Sequence, residues 1–88
     1  MYTINPEQER KEILKRYREL LNAWNTGAGE RNQRMVRKAF NLAATAHKDM
    51  RRKSGEPYIY HPIEVARIVA GEIGLGETSI VCALLHDV

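Results

Sequence analysis

The segment Ser79 to Leu85 is apolar at nearly every position and then turns abruptly to His86-Asp87. A helix that is apolar on most of its faces must be covered by other elements, so it belongs in the middle of whatever the chain folds into. The remaining sequence offers helices to cover it. Asn5-Pro6-Glu7-Gln8 reads as a helix start: Asn5 is a good N-cap, Pro6 suits the first helical position, and Gln8 can close a capping box. Ile13, Leu14, Tyr17, Leu20, Leu21 and Trp24 then recur on one face at helical spacing, until Gly27-Ala28-Gly29 breaks the pattern. A second pattern runs from about Arg31 to Met50. Met35, Val36, Ala39, Phe40, Ala43, Ala46, His47 and Met50 share its stripe, and Arg34, Arg37, Lys38 and Lys48 fall largely outside it.

A polar loop follows from Arg51 to Tyr60, punctuated by Gly55 and Pro57. A third helix is predicted from Pro62, with Ile63, Val65, Ala66 and Val69 on its apolar side and Gly71, Gly74 and Gly76 marking its end. Thr78 can cap the fourth helix, Ser79 to Val88. No segment reads as a convincing strand. The expected fold is all-α, with about four helices.

Composition narrows the class. The chain has 88 residues, 43% apolar and 28% charged, which is too apolar for a disordered tail. It is short of the roughly 100–200 residues of an ordinary domain, so its core is thin. The net charge of +3 fits an anionic partner without requiring one. Cys82 is the lone cysteine. It cannot form an internal disulfide, and its apolar surroundings predict a buried core thiol and a reducing, cytoplasmic compartment. No apolar stretch approaches the ~20 residues of a membrane span, and the N-terminus lacks the basic and apolar regions of a signal peptide. The sequence stops without a helix-stop signal in its most apolar helix, so the expectation is a piece of a longer polypeptide, natural or engineered.

The residues able to carry chemistry lie in the second half. His86-Asp87 follows Ala83-Leu84-Leu85, where water should be scarce, and a carboxylate there needs a partner or a metal. Helical neighbours point about 100° apart, so an ion above the wedge can meet both. The plainer reading of a bare His-Asp pair is a solvated helix end. His61, held beside Pro62, is by itself more readily a cap or a surface residue than a ligand. His47, on the apolar stripe, reads as a packed and hydrogen-bonded core histidine. In Arg51-Arg52-Lys53-Ser54-Gly55, guanidinium groups can stack on a base or fork onto phosphate, and Gly55 allows close backbone approach, although a solvated basic loop is common.

These signals occur in one order and register. Ala46 to Pro62, reading AHKDMRRKSGEPYIYHP, resembles the opening signature of the RelA/SpoT homologue family, and Ala83-Leu84-Leu85-His86-Asp87-Val88 resembles its HD motif at the expected distance. Arg52 through Pro62 is long and specific, unlike a short motif. The strong match covers about Ala39 to Val88. Met1 to Lys38 fits more loosely and resembles the leading helical segment of long, multidomain members, particularly those of Bacteroidetes-type bacteria.

The resemblance implies an HD-superfamily helical fold, with residues 1–30 as a leading helix and turn and 31–88 as the first part of an HD hydrolase domain. It implies that His61, His86 and Asp87 ligate a divalent metal, typically Mn²⁺. It also implies that Arg52 and Lys53 line the nucleotide site, Arg52 near the guanine, with Ser54 in the same pocket. The implied parent is a bifunctional GTP pyrophosphokinase and (p)ppGpp hydrolase of the stringent response. Its hydrolase uses a metal-activated water to convert (p)ppGpp into GDP or GTP and pyrophosphate.

The family's activating Glu-Asp pair and a later aspartate ligand have no counterpart in these residues. The expectation for the chain alone is therefore weak metal binding, no complete catalytic set, and apolar faces open to oligomerisation. The expected partner is the (p)ppGpp nucleotide. Ribosome or tRNA contact would come only through C-terminal domains, and no membrane is involved. Alternatives are a small stand-alone alarmone hydrolase, a regulatory HD domain without catalysis, and a nucleic-acid-binding module with Arg51-Arg52-Lys53 on phosphate. The last is disfavoured because its basic residues are mixed with acids and no nucleic-acid motif is present.

Overall fold

The first helix begins where its cap places it. The Gln8 N–H donates to Asn5 Oδ1 at 3.1 Å and the Glu9 N–H to the Asn5 carbonyl at 2.9 Å, which satisfies donors that an α-helix leaves open at its start. A computed structural model describes residues 2–24, 33–73 and 76–88. In it α1 spans Pro6–Trp24, α2 Gln33–Ala46, α3 Tyr60–Ile68 and α4 Glu77–Leu85, and a π-helical turn, Val69–Ile73, extends α3. The predicted break at Gly27-Ala28-Gly29, the second helix's start near Arg31, and Gly74 lie outside the described residues. Among the described residues, the only β pairing is one isolated antiparallel bridge, Arg51 to Pro57.

Tyr17, Leu20 and Trp24 of α1 are buried, with Ile13 and Leu21 partly covered, whereas Leu14 faces water. On α2 the buried set is Val36, Ala39, Phe40 and Ala43, one stripe at helical spacing. The stripe is narrower than expected: Met35 and Met50 are exposed, and so is Ala46. Tyr17 stacks on Phe40 with ring centroids 4.3 Å apart, joining α1 to α2.

Helix α2 also stops earlier than the periodicity suggested. After the His47 N–H bonds the Ala43 carbonyl at 3.0 Å, the chain turns, and the Met50 N–H bonds the His47 carbonyl at 2.9 Å. The Met50 carbonyl is taken by the Tyr58 N–H at 2.9 Å, so pairing with the far side of the loop replaces a further helical turn. The loop is a tight reversal. Arg52 N–H bonds the Glu56 carbonyl at 3.0 Å and Gly55 N–H the Arg52 carbonyl at 2.8 Å. Gly55 has φ +106°, which L side chains rarely adopt.

Helix α3 starts two residues before Pro62. Pro62 occupies its first turn, where a missing N–H costs nothing because no intrahelical acceptor exists. His61 therefore sits inside the helix rather than before it. Gly71 does not end the helix but lies in its π turn, where a Cβ would come 3.2 Å from the Ala23 Cβ of α1. Its role is close approach of two helices.

Helix α4 is capped at Gly76, not at Thr78, with the Ile80 N–H on the Gly76 carbonyl at 3.1 Å. It buries Ile80, Ala83 and Leu84 against α2 and α3. Cys82 lies on the opposite side, about 200° from Ile80 at 100° per residue, and is exposed. The expected buried thiol is thus corrected: among the described residues only one face of α4 is covered. Leu20, Ile63, Ile80 and Leu84 form the fully buried centre, each side chain contributing about 1.5–3 kcal/mol by leaving water. Among the described residues, no helix is long and apolar enough to cross a membrane.

Candidate metal centre

The packing of α3 against α4 decides which side chains meet. His61 projects from the first turn of α3. His86 is the C-cap of α4, and Asp87 follows it in the turn that ends the helix. One potential ligand atom from each of His61, His86 and Asp87 lies within 4.8 Å of the others. The His61 and His86 rings meet edge to face, centroids 5.8 Å apart. The pair does not sit where water is scarce, as the preceding apolar run suggested. The side chains of His86 and Asp87 are 40% and 32% exposed, because the helix ends at Leu85 and the turn emerges from the core.

Hydrogen bonding fixes how these groups present themselves. His86 Nδ1 lies 2.6 Å from the Ala83 carbonyl oxygen. A carbonyl only accepts, so Nδ1 carries the proton, and in the neutral ring Nε2 offers a lone pair. That Nε2 stands 3.0 Å from Asp87 Oδ2. A lone pair facing a carboxylate oxygen at this distance needs a positive charge between them, supplied by a second imidazole proton or by a metal cation. Two imidazoles and a carboxylate with Nδ1 tied to backbone are the donor set and outer bonding that divalent transition metals take. The residues fit such an ion.

Asp87 is held from the other side by the Tyr58 hydroxyl, which donates to Oδ2 at 2.5 Å. That bond keeps the Asp87 carboxyl below the usual carboxylate range, helped by nearby His86, His61 and His47, and raises the Tyr58 phenol in turn. His47 is buried, as expected, with Nδ1 against Met50 Sδ at 3.2 Å and its ring on Tyr58 at 4.9 Å. Its expected hydrogen bonding is incomplete, since Nε2 has no partner.

Among the residues expected at a nucleotide, Arg52 is half exposed and its Nε stands 3.9 Å from Glu56 Oε1. It lines an open cleft of about 410 Å³ shared with His61, Arg16, Tyr60 and Tyr2. The loop thus shares a cleft with one of the three candidate ligands, His61. Ser54 Oγ donates to the Glu56 carboxylate, 2.6 and 2.8 Å from its two oxygens. Lys53 is exposed. Arg51, by contrast, does not face a ligand. Its guanidinium forks onto Glu9 at 2.8 and 2.9 Å and donates to the Gly55 carbonyl at 2.8 Å. A phosphate role for Arg51 is therefore corrected to a structural one. Gly55, read as room for a ligand, instead admits Tyr2, whose Cβ would lie 3.2 Å from a Cβ at that position.

The sequence reading missed Tyr58, Glu9, Tyr2 and Arg16. Tyr58 stood inside the signature segment, but nothing in its spacing pointed to Asp87, 29 residues away. Glu9 is buried at 7% exposure on a face whose other members are apolar. A charge in an apolar stripe was the available signal.

Residues 39–88 match the HD domain family. A GTP pyrophosphokinase from Myxococcus xanthus is 53% identical over 53 residues, covering 60% of this chain and 7% of that protein. The bifunctional (p)ppGpp synthase/hydrolase RelA of Mycobacterium tuberculosis is 45% identical over 53 residues, again 60% and 7%. A guanosine-3′,5′-bis(diphosphate) 3′-pyrophosphohydrolase from Aquifex aeolicus is 44% identical over 52 residues, or 59% and 7%. The chain thus aligns with about 7% of the length of these relatives.

Proposed function

Because the chain belongs to the HD domain family, we propose that it is the leading part of a metal-dependent (p)ppGpp 3′-pyrophosphohydrolase domain, within a longer enzyme that also carries GTP pyrophosphokinase activity. Hydrolases of this family are metal-dependent. The observation that carries the reading is the meeting of His61, His86 and Asp87, with His86 Nε2 turned toward the Asp87 carboxylate at 3.0 Å. In this proposal the three hold Mn²⁺, and residues 31–88 begin the hydrolase domain while 1–30 lead into it.

When bound, the ion supplies Lewis acidity toward phosphate oxygens and lowers the pKa of a water. The chain's own residues hold and orient. The bond from His86 Nδ1 to the Ala83 carbonyl orients the ring so that Nε2 faces the cluster. Tyr58 and its neighbours keep Asp87 ionised. Arg52, on the cleft that reaches His61, places the nucleotide with Lys53 and Ser54 beside it, which contributes positioning rather than chemistry. The 3′-pyrophosphate then lies at the histidine cluster. Water adds to phosphorus, the bond to the ribose 3′ oxygen breaks, and pyrophosphate leaves from GDP or GTP. An exposed lone thiol at Cys82 suits a reducing cytoplasm.

The test is pyrophosphate release from ppGpp by the full-length protein, with and without Mn²⁺, beside Asp87→Ala. Mn²⁺-dependent release that the substitution abolishes supports the reading. A full-length protein that hydrolyses nothing under any divalent ion removes it.

A further inference from the structure

Tyr58 touches two of the three residues in the candidate metal centre, by different means. Its hydroxyl donates to Asp87 Oδ2 at 2.5 Å. Its carbonyl accepts the His61 N–H at 3.0 Å, and its ring meets the His61 ring with centroids 5.9 Å apart. Tyr58 itself is fixed from behind. Its N–H bonds the Met50 carbonyl at 2.9 Å, and its ring rests on His47, which is only 3% exposed. Asp87 has no comparable anchorage of its own. It stands beyond the last residue of α4, in a turn, with its side chain 32% exposed. A carboxylate in that position can rotate into water, and among the described residues its one other partner is the adjacent His86.

We propose that Tyr58 is a positioning residue of this centre: its hydroxyl fixes the Asp87 carboxylate against His61 and His86 and so preorganises the site for a divalent cation. The inference rests on the metal-centre reading and goes beyond it by naming a residue that binds no ion itself. Carboxylate ligands are commonly held by such outer hydrogen bonds, and losing one typically weakens metal affinity about 10–100-fold. Tyr58 also follows directly on the Arg51–Pro57 bridge. The same residue therefore ties the loop carrying Arg52 and Lys53 to the place where α3 and α4 meet.

The test uses Mn²⁺ as the probe. Free Mn²⁺ is counted by electron paramagnetic resonance while the ion is titrated into the chain and into Tyr58→Phe, Asp87→Asn and the double variant. Phe keeps the ring contacts with His47 and His61 and removes only the hydroxyl. The expected result is a loss of about 10–100-fold in affinity for Tyr58→Phe, with the metal-free melting temperature close to that of the parent. In the Asp87→Asn background the Phe substitution should add little, because its effect runs through the carboxylate. If Asp87→Asn weakens binding and Tyr58→Phe does not, the positioning role is wrong and the metal centre stands. A Phe effect that is equally large in both backgrounds, or matched by a drop in metal-free stability, also overturns the role. If the parent and Asp87→Asn take up Mn²⁺ alike, the metal centre itself falls and the inference with it.

Discussion

Glu9→Gln tests whether one ion pair holds the leading helix to the loop. The Glu9 side chain is 9% exposed and Arg51 is 34% exposed. The carboxylate accepts two bonds from the Arg51 guanidinium and a third from the Tyr2 hydroxyl at 2.6 Å. Hydrogen bonds to charged groups contribute about 1.5–3 kcal/mol when sheltered, and the water that reaches Arg51 reduces this toward the value of an exposed pair. Glutamine keeps the size and one acceptor, so the expected loss is about 1–2 kcal/mol at neutral pH.

The pH dependence gives the sharper signature. Bonds from Arg51, then from Tyr2, hold the Glu9 carboxyl at about 2, against the usual 4.5. A carboxyl whose pKa is depressed on folding stabilises fully above its unfolded value and loses that contribution as pH falls toward its folded one. The gap between parent and Glu9→Gln should therefore be constant above pH 4.5 and close as pH drops toward 2. Urea unfolding followed by circular dichroism, at several pH values across that window, measures it. A gap that is the same at every pH, or absent at neutral pH, would mean that the Glu9–Arg51 pair does not hold the helix to the loop.

Three further outcomes follow from packing and backbone geometry. Leu84→Ala, at a side chain with no exposure, should cost about 2–5 kcal/mol in chemical denaturation; a loss under ~1 kcal/mol would mean that α4 is not seated as described. Gly55→Ala meets both a φ of +106° and the Tyr2 side chain, so it should lower the melting temperature; an unchanged value would mean that the loop does not turn there as described. Asn5→Ala removes the side-chain cap on Gln8 and should cost about 1 kcal/mol, with faster amide exchange confined to the first turn of α1.

The sequence was most legible where one local cause acts alone. Asn5 and Pro6 start α1 because a cap and a fixed φ decide a helix start without outside help. The stripe through Val36, Ala39, Phe40 and Ala43 was readable because helical spacing selects one face. Helix ends were less legible, since they depend on partners far along the chain. After α2 ends at Ala46 the Met50 carbonyl pairs with the Tyr58 N–H across the loop, and Gly71, in the π turn that extends α3, lies close against Ala23 of α1. The apolar run of α4 pointed to a helix covered all round, but only the Ile80, Ala83 and Leu84 side is covered among the described residues. His61, His86 and Asp87 were named from a resemblance. Spacing alone left each with a plain surface reading, because their meeting arises from the α3–α4 contact. Tyr58 and the Glu9–Arg51 pair were invisible for the same reason: each joins residues tens of positions apart.

Anomalous diffraction from crystals grown with Mn²⁺ would show whether His61, His86 and Asp87 form a metal centre. The expected result is an anomalous peak between the two imidazole rings and the Asp87 carboxylate, with His86 Nε2 turned to the ion and Nδ1 still on the Ala83 carbonyl. Manganese bound elsewhere, or none at saturating concentration with His86 and Asp87 still joined directly, would contradict it.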